Sequence, residues 1–371
     1  MNQVPSATEV FVIGGGPAGL AAAIAARQRG LDVTVADSRI PPIDKACGEG
    51  IMPDGLAAAR RLGLELSGTS AFPFRGIRFC DGTIGVESDF PNGYGAGMRR
   101  TVLHEIMIRR ATDLGVNLLW NARVSGISER AVHVNDAPVR TRWIVGADGG
   151  NSPVRRWAGL DSCVRESRRF GFRRHYAVAP WSDYMELHWG RGMQLYITPV
   201  ASQEICAVLI SRNQRLRLDE ALPQFPEVAR RLANACPGTL ERGGISASRR
   251  LRRVATENIA LVGDASGSVD AITGEGLCLL FEQSVALADA LTAGDLRLYE
   301  RAHRRIGKRP ELMANLMLLL DRRNLLRERA FRAFGAKPQL FERMLAMHVG
   351  EMNAAQFLTN GVALGWHMLT A

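Results

Sequence analysis

The sequence is short of several things, and each shortage removes a class of protein. Its six cysteines, Cys47, Cys80, Cys163, Cys206, Cys236 and Cys278, form no Cys-x-x-Cys pair and stand beside no ligand-spaced histidines. That argues against a zinc or other metal site and against a disulfide framework. No run of 18 apolar residues offers a membrane span, and the opening MNQVPSATEV has neither the basic nor the apolar stretch of a leader. A cytoplasmic location with reduced thiols is the expectation. Aromatic residues make up only 6%, and no nucleic-acid module signature accompanies the basic residues, so no nucleic-acid partner is expected. Internal repeats and low-complexity linkers are also missing.

What is there begins with charge. Lys and Arg number 47 against 37 Asp and Glu, and the excess gathers in RRFGFRRH (Arg168–His175), in SRRLRRV (Ser248–Val254) and in the C-terminal third. The bland interpretation is a solvated arginine-rich face. The alternatives are a phosphorylated cofactor, an acidic carrier protein or anionic lipid met through basic C-terminal helices. At 371 residues the chain has room for about two domains.

The strongest local pattern is EVFVIGGGPAGLAAAIAARQRGLDVTVADS. It reads strand, glycine turn, Ala-rich helix, strand. Gly14, Gly16 and Gly19 keep the spacing that gives a tight turn, room for a pyrophosphate, and close helix-strand packing. A helix N-terminus then faces the phosphates. Asp37 closes the second strand, where a carboxylate accepts from ribose hydroxyls and repels a 2′-phosphate, so NAD or FAD is the expected dinucleotide.

Two later stretches choose between them. TRWIVGADGGNSPVRRWAGL (Thr141–Leu160) ends a strand at Asp148, and ENIALVGDASGSVDAITGEGLCLL (Glu257–Leu280) ends one at Asp264 before a glycine turn and a helix. As an ordered set, the three stretches resemble the fingerprints of the FAD-dependent aromatic hydroxylases (group A flavoprotein monooxygenases), a superfamily that includes geranylgeranyl reductases and flavin-dependent halogenases. The resemblance implies an α/β fold, with a Rossmann-type, glutathione-reductase-like FAD-binding domain interleaved with a mainly antiparallel β-sheet substrate domain, followed by C-terminal helices. It assigns 1–70, 98–165 and 254–297 to the FAD-binding domain, 71–97 and 166–253 to the substrate domain, and 298–371 to the helical region. It also implies that Asp264 binds the ribitol chain, that Asp148 supports the pyrophosphate segment, and that Arg100 begins a helix with further FAD contacts. Gly274 and Gly276 would let backbone N–H groups face the flavin pyrimidine, where reduced flavin carries negative charge.

The chemistry is less narrowly set. KACGEGIMP (Lys45–Pro53) is similar to the glycine-rich segment of the reductase branch, which lies beside the flavin with its cysteine toward the substrate cavity. Cys47, Glu49 and Lys45 are therefore the catalytic candidates, with Glu49 alternatively a cap for the helix after Pro53. Ala271 stands where the hydroxylases usually carry proline. The reductases commonly carry Tyr-x-Trp-x-Phe-Pro at a strand end beside the pocket; here those positions are Gln194, Tyr196, Thr198 and Pro199, so only the proline is retained. The halogenase Trp-x-Trp-x-Ile-Pro signature is missing. His175, His188 and Tyr196 fall on strands of the sheet that should roof the pocket, as candidate substrate hydrogen-bonders.

Three reactions stay open. The first is NAD(P)H-dependent hydroxylation of an aromatic, polyketide-like or otherwise lipophilic secondary metabolite, with NAD(P)H visiting transiently. The second is reduction of C=C bonds with the same FAD. The third is a non-redox role as a cyclase or carrier-docked binding module. From Leu298 onward the pattern is helical and suits a lid, a dimer face, a basic membrane-facing surface, or packing against the FAD domain.

Overall fold

The computed structural model describes residues 3–351. β1 (Ala7–Ile13) is almost wholly apolar from Val10 onward and is buried on both faces, as a central parallel strand must be. It lies between β2 (Val33–Asp37) and β11 (Ala137–Gly146), parallel to both. β8 (Asn117–Trp120) extends the sheet beyond β2, and β19 (Ile259–Leu261) with the short antiparallel β18 (Ala255–Thr256) extends it beyond β11. An antiparallel pair, β9 (Val124–Ser128) and β10 (Ala131–Val134), is appended to β11.

Helices cover this sheet. α1 (Pro17–Arg27) is so rich in alanine that nearly every side chain in it is buried, and its small residues allow close packing on α7 (Gly276–Ala293). α2 (Pro53–Arg61) packs on α7, α3 (Arg100–Asp113) packs on α1, and α4 (Pro153–Trp157) follows the second fingerprint. Among the described helices α7 alone is long and apolar enough to cross a membrane, and 56% of it is buried here as a core helix.

The second sheet runs β16 (Cys236–Pro237), β12 (Cys163–Ala177), β15 (Glu204–Ser211), β14 (Met193–Ala201), β13 (Tyr184–Trp189), β5 (Gly76–Asp81), β6 (Ile84–Asp89), with β17 (Arg242–Leu251) also on β12. Its pairings are antiparallel except β13 with β5. A three-stranded sheet of β3 (Gly50–Ile51), β7 (Gly95–Gly97) and β4 (Phe72–Phe74) joins the glycine-rich segment to this roof.

Alternation gives the roof two faces. Leu195, Ile197 and Leu209 face a core closed by α5 (Leu218–Ala221) and α6 (Pro226–Leu232). Phe79, Leu187, Trp189 and Tyr196 face a core closed by α8 (Leu296–Arg322), α9 (Asn324–Ala336) and α10 (Pro338–His348). Phe79 and Phe341 meet edge to face with ring centres 5.0 Å apart. The C-terminal helices thus divide their packing: α8 lies on α7 of the FAD-binding half, while α9 and α10 lie on β6 of the roof. The last twenty residues of the expected helical region are outside the described residues.

Candidate functional site

The cradle begins at the turn after β1. Gly14 has φ +111°, and a Cβ there would lie 2.4 Å from the Ala147 carbonyl oxygen. Gly19 lies so close to the Gly14 carbonyl that a side chain there has no room. Gly16, at the N-terminus of α1, meets nothing within 4 Å, and neither do Gly149, Gly150 and Gly276. Asp37 accepts from the Gly15 N–H through Oδ2 at 2.8 Å and from the Arg39 N–H through Oδ1 at 2.8 Å.

His104 is a member of this cradle that the sequence reading missed. It is fully buried on α3, one turn after Arg100, a spacing that puts both on one helix face. The Ile43 N–H donates to its Nδ1 at 3.2 Å, so Nε2–H donates to the Gly15 carbonyl at 2.8 Å and pins the glycine turn. Burial, with Arg100 nearby, holds the imidazole below its ordinary pKa.

Polar atoms without protein partners also point to a ligand. Arg100 Nε and Asp148 Oδ1 are both buried and unpaired, and burial raises the Asp148 carboxyl above its usual range. Buried polar atoms in a folded chain ordinarily find partners. Asp264 Oδ2 accepts from Lys45 Nζ at 2.7 Å, with both side chains about half exposed, so the pair joins the third fingerprint to KACGEGIMP. Open glycines, a free helix N-terminus, an acid on β2 and unpaired buried donors and acceptors fit FAD.

KACGEGIMP folds against the other two segments expected beside the flavin ring. A Cβ on Gly50 would lie 2.9 Å from Met185 Sδ and 3.6 Å from Thr198 Cγ2, and Met52 Cε lies 3.6 Å from the Cβ position of Gly274. Gly274 takes the left-handed conformation, φ +69°, that ends the short turn held by Asp270, and α7 begins at Gly276.

Glu49 is the joint of the site. It is buried with φ +60°, a conformation a non-glycine residue adopts only when its surroundings fix it. Its carbonyl accepts from the Met98 N–H at 2.8 Å, and its Oε1 accepts from the Arg100 N–H at 3.0 Å. Glu49 therefore caps α3, whereas the sequence reading offered it as a cap for α2. Its Oε2 accepts from His175 Nε2–H at 2.6 Å. Arg173 Nη1 donates to His175 Nδ1 at 2.9 Å, and because arginine has no acceptor this fixes the tautomer. Asp44 takes Arg173 Nη2 at 2.5 Å and is held below the usual carboxylate range: burial works against ionisation, and the contact with Arg173 prevails.

The structure corrects one reading of charge. RRFGFRRH is not a solvated stripe, since Arg169 and Arg173 are 2% and 1% exposed. Arg169 pairs with Asp270 at 3.0 Å and with Gln194 Oε1, and Gln194 in turn donates to Asp321. Period two along β12 puts Arg169, Arg173 and His175 on one face, and that alternation is the signal available in sequence.

Glu49, His175 and Cys206 also present ligand atoms within 4.8 Å of one another. Both His175 nitrogens already have partners, burial pushes the Cys206 thiol well up, and Arg173 lies 3.9 Å from Glu49. A cation there would meet the guanidinium, so the cluster is a charge-compensated network.

The remaining candidates separate. Cys47 is half-buried against the FAD-domain core, and its Sγ accepts from the Glu49 N–H at 3.5 Å. Tyr196 is buried on the roof face toward the C-terminal helices, and its hydroxyl donates to the Ile272 carbonyl. His188 lies on the opposite face, donating to Glu186 at 2.9 Å and packing on Phe225. Its neighbours on β13, Leu187 and Trp189, face the pocket side instead.

That pocket is apolar, lined by Ile77, Phe79, Met185, Leu187, Met313 and Met317 among others, and it reaches Tyr196, Thr273 and His348. The space left within it is about 20 Å³, room for roughly one water. A larger ligand enters by moving side chains, and flexible methionines are suited to that.

The fold and the cradle together define an FAD-dependent oxidoreductase. Residues 7–295 match a family model described as FAD binding domain, and the chain belongs to that family. It is 30% identical over 332 residues to menaquinone reductase of Mycobacterium tuberculosis, covering 79% of each chain. It is 26% identical over 320 residues to digeranylgeranylglycerophospholipid reductase of Methanosarcina mazei, covering 78% of this chain and 77% of that one. The flavin-dependent brominase Bmp2 shares the fold, with TM-score 0.80 at 18% identity over 97% of this chain and 98% of the other.

Proposed function

We propose that the chain is a reductase that uses FAD to saturate carbon–carbon double bonds in an extended lipophilic molecule. The observation that carries this reading is the methionine-lined apolar pocket, which ends at the third FAD fingerprint through Thr273. A narrow, largely apolar, deformable cleft suits a flexible hydrocarbon chain better than a rigid, polar phenol. Relatives named as reductases of menaquinone and of a digeranylgeranyl phospholipid support the same direction.

Bound FAD, once reduced by a transiently bound NAD(P)H, supplies the hydride. The chain's own residues then have definable tasks. Gly14, Gly16 and Gly19 with the N-terminus of α1 would receive the pyrophosphate, His104 fixes the turn, and Asp37 and Asp264 would hold the ribose and ribitol. The N-terminus of the 18-residue α7 would favour negative charge on the pyrimidine end of a bound flavin. Glu49 locks KACGEGIMP between α3 and the roof. The roof and α8–α10 keep water out.

The test is anaerobic. Holoenzyme with its flavin chemically reduced is mixed with a panel of prenyl lipids, aromatic compounds and polyketides, and flavin reoxidation is followed by absorbance. Reoxidation by an alkenyl lipid without oxygen, with a product two hydrogens heavier, is the expected result. Turnover that requires oxygen and yields a hydroxylated product refutes the proposal in favour of a monooxygenase.

A further inference from the structure

Behind the apolar pocket lies a buried polar cluster that the cofactor cradle does not use. Glu275, between Gly274 and Gly276 in the third fingerprint, has a side chain 1% exposed. Its Oε2 has no hydrogen-bond partner, and neither does Nδ1 of the buried His348 at the end of α10. These two orphaned atoms face one another at 3.7 Å. His348 lines the pocket, and its ring also meets the Thr273 carbonyl. On the other side, Arg309 of α8 reaches Glu275 Oε1 at 3.4 Å and Asp54 of α2 at 2.6 Å, and Arg309 and Asp54 are both partly exposed. A row of polar groups therefore runs from the partly exposed Asp54 and Arg309 to Glu275 and then to His348 at the pocket wall.

We infer that Glu275 and His348 form a proton-delivery pair for the reaction in that pocket. The inference rests on the reductase reading, because adding hydrogen across a double bond needs a proton as well as a hydride. As the π bond breaks, one carbon takes the hydride and becomes C–H, and the reduced flavin is oxidised. The electron pair left on the neighbouring carbon takes the Nε2 proton of His348, released from the Thr273 carbonyl, while Nδ1 receives the Glu275 proton. The Glu275 carboxylate is then reprotonated by solvent water, while Arg309, which keeps its protons, holds Glu275 and Asp54 in place. Burial pushes the Glu275 carboxyl up to about 8, with Arg309 opposing and Asp54 adding to it, and burial with Arg309 brings His348 down to about 4. The buried thiol of Cys278, on the first turn of α7, is raised well above its ordinary value and stays protonated. At neutral pH the pair thus stores one transferable proton against an apolar cleft, the state a general acid requires.

The experiment uses FAD-loaded protein as wild type, Glu275→Gln and His348→Asn, with bound flavin absorbance as the check on folding. Infrared spectroscopy in D₂O at pH 7 should show a protonated-carboxyl stretch in wild type that vanishes in Glu275→Gln. Anaerobic reoxidation of reduced flavin by the alkenyl lipid should slow about 100-fold in each variant, the usual scale for a general acid. The double variant should be no slower than the slower single one. A carboxyl band undiminished in Glu275→Gln relative to wild type, or variant rates within twofold of wild type, overturns the inference. Failure of wild type itself to reoxidise without oxygen instead refutes the reductase reading, and the carboxyl band still decides whether Glu275 holds the proton.

Discussion

Holding a proton on Glu275 and none on His348 has a thermodynamic signature that is independent of catalysis. Glu275 rises from the usual 4.5 to about 8, so the stability it confers is fully present below pH 4.5 and is lost as pH climbs to about 8. His348 falls from 6.5 to about 4, so its stability is present above pH 6.5 and is lost as pH drops toward 4. Each slope is about 1.4 kcal/mol per pH unit. Between 4.5 and 6.5 the two slopes cancel in the wild type, and from 6.5 to 8 the Glu275 slope alone remains, a loss of about 2 kcal/mol. Glu275→Gln leaves only the histidine, so its stability relative to the double variant should rise by about 3 kcal/mol from pH 4 to 6.5 and then stay level. His348→Asn leaves only the acid, and on the same comparison should fall by about 5 kcal/mol from pH 4.5 to 8. The assay is urea unfolding of holoenzyme at half-unit pH steps, taken as differences between variants so that every other titrating group drops out. Differences that stay flat between pH 5 and 8 would show that Glu275 is ionised in the fold, and would refute the reasoning.

The other predictions test the cradle and the joint. Gly16→Val places its side chain in open space, so the apoprotein should unfold within about 1 kcal/mol of wild type. FAD affinity, read by flavin titration, should nevertheless fall at least about tenfold. Gly14→Ala should behave oppositely and lower stability by about 2 kcal/mol, since its φ is +111° and its Cβ meets the Ala147 carbonyl. Glu49→Ala uncaps α3 and leaves His175 and Arg173 facing a void, with an expected loss of about 3 kcal/mol by denaturant unfolding. Arg169→Met strands the buried Asp270 carboxylate, and a loss of about 3–5 kcal/mol is expected on the same measurement.

The FAD-binding half is legible in the sequence because its information is local. The turn after β1 is announced by four glycines within six residues, and β1, α1 and β2 follow one another without interruption. The roof is legible as strands but not as a site. Arg169 and Arg173 look like surface charge because the acids that neutralise them lie 101 and 129 residues away, at Asp270 and Asp44. No periodicity encodes such pairings; only the closed fold does. The same holds for His188, whose residue type suggests a pocket ligand and whose register on β13 turns it to the far face.

This bears on the protein's basic character. Part of the excess positive charge is spent internally: Arg155, Arg169, Arg173 and Arg327 are each at most 5% exposed and each has a carboxylate partner. Net charge counted along the chain therefore overstates what this protein shows to a carrier protein or an anionic surface as a distributed field. Instead, arginines in the roof and on α8 hold carboxylates at fixed places around the cleft, and Glu275 differs from those carboxylates. Arg309 is already matched by Asp54, so its pull on Glu275 is too weak to outweigh burial. That shared cation is what leaves Glu275 protonated, and His348 and Thr273 connect it to the pocket.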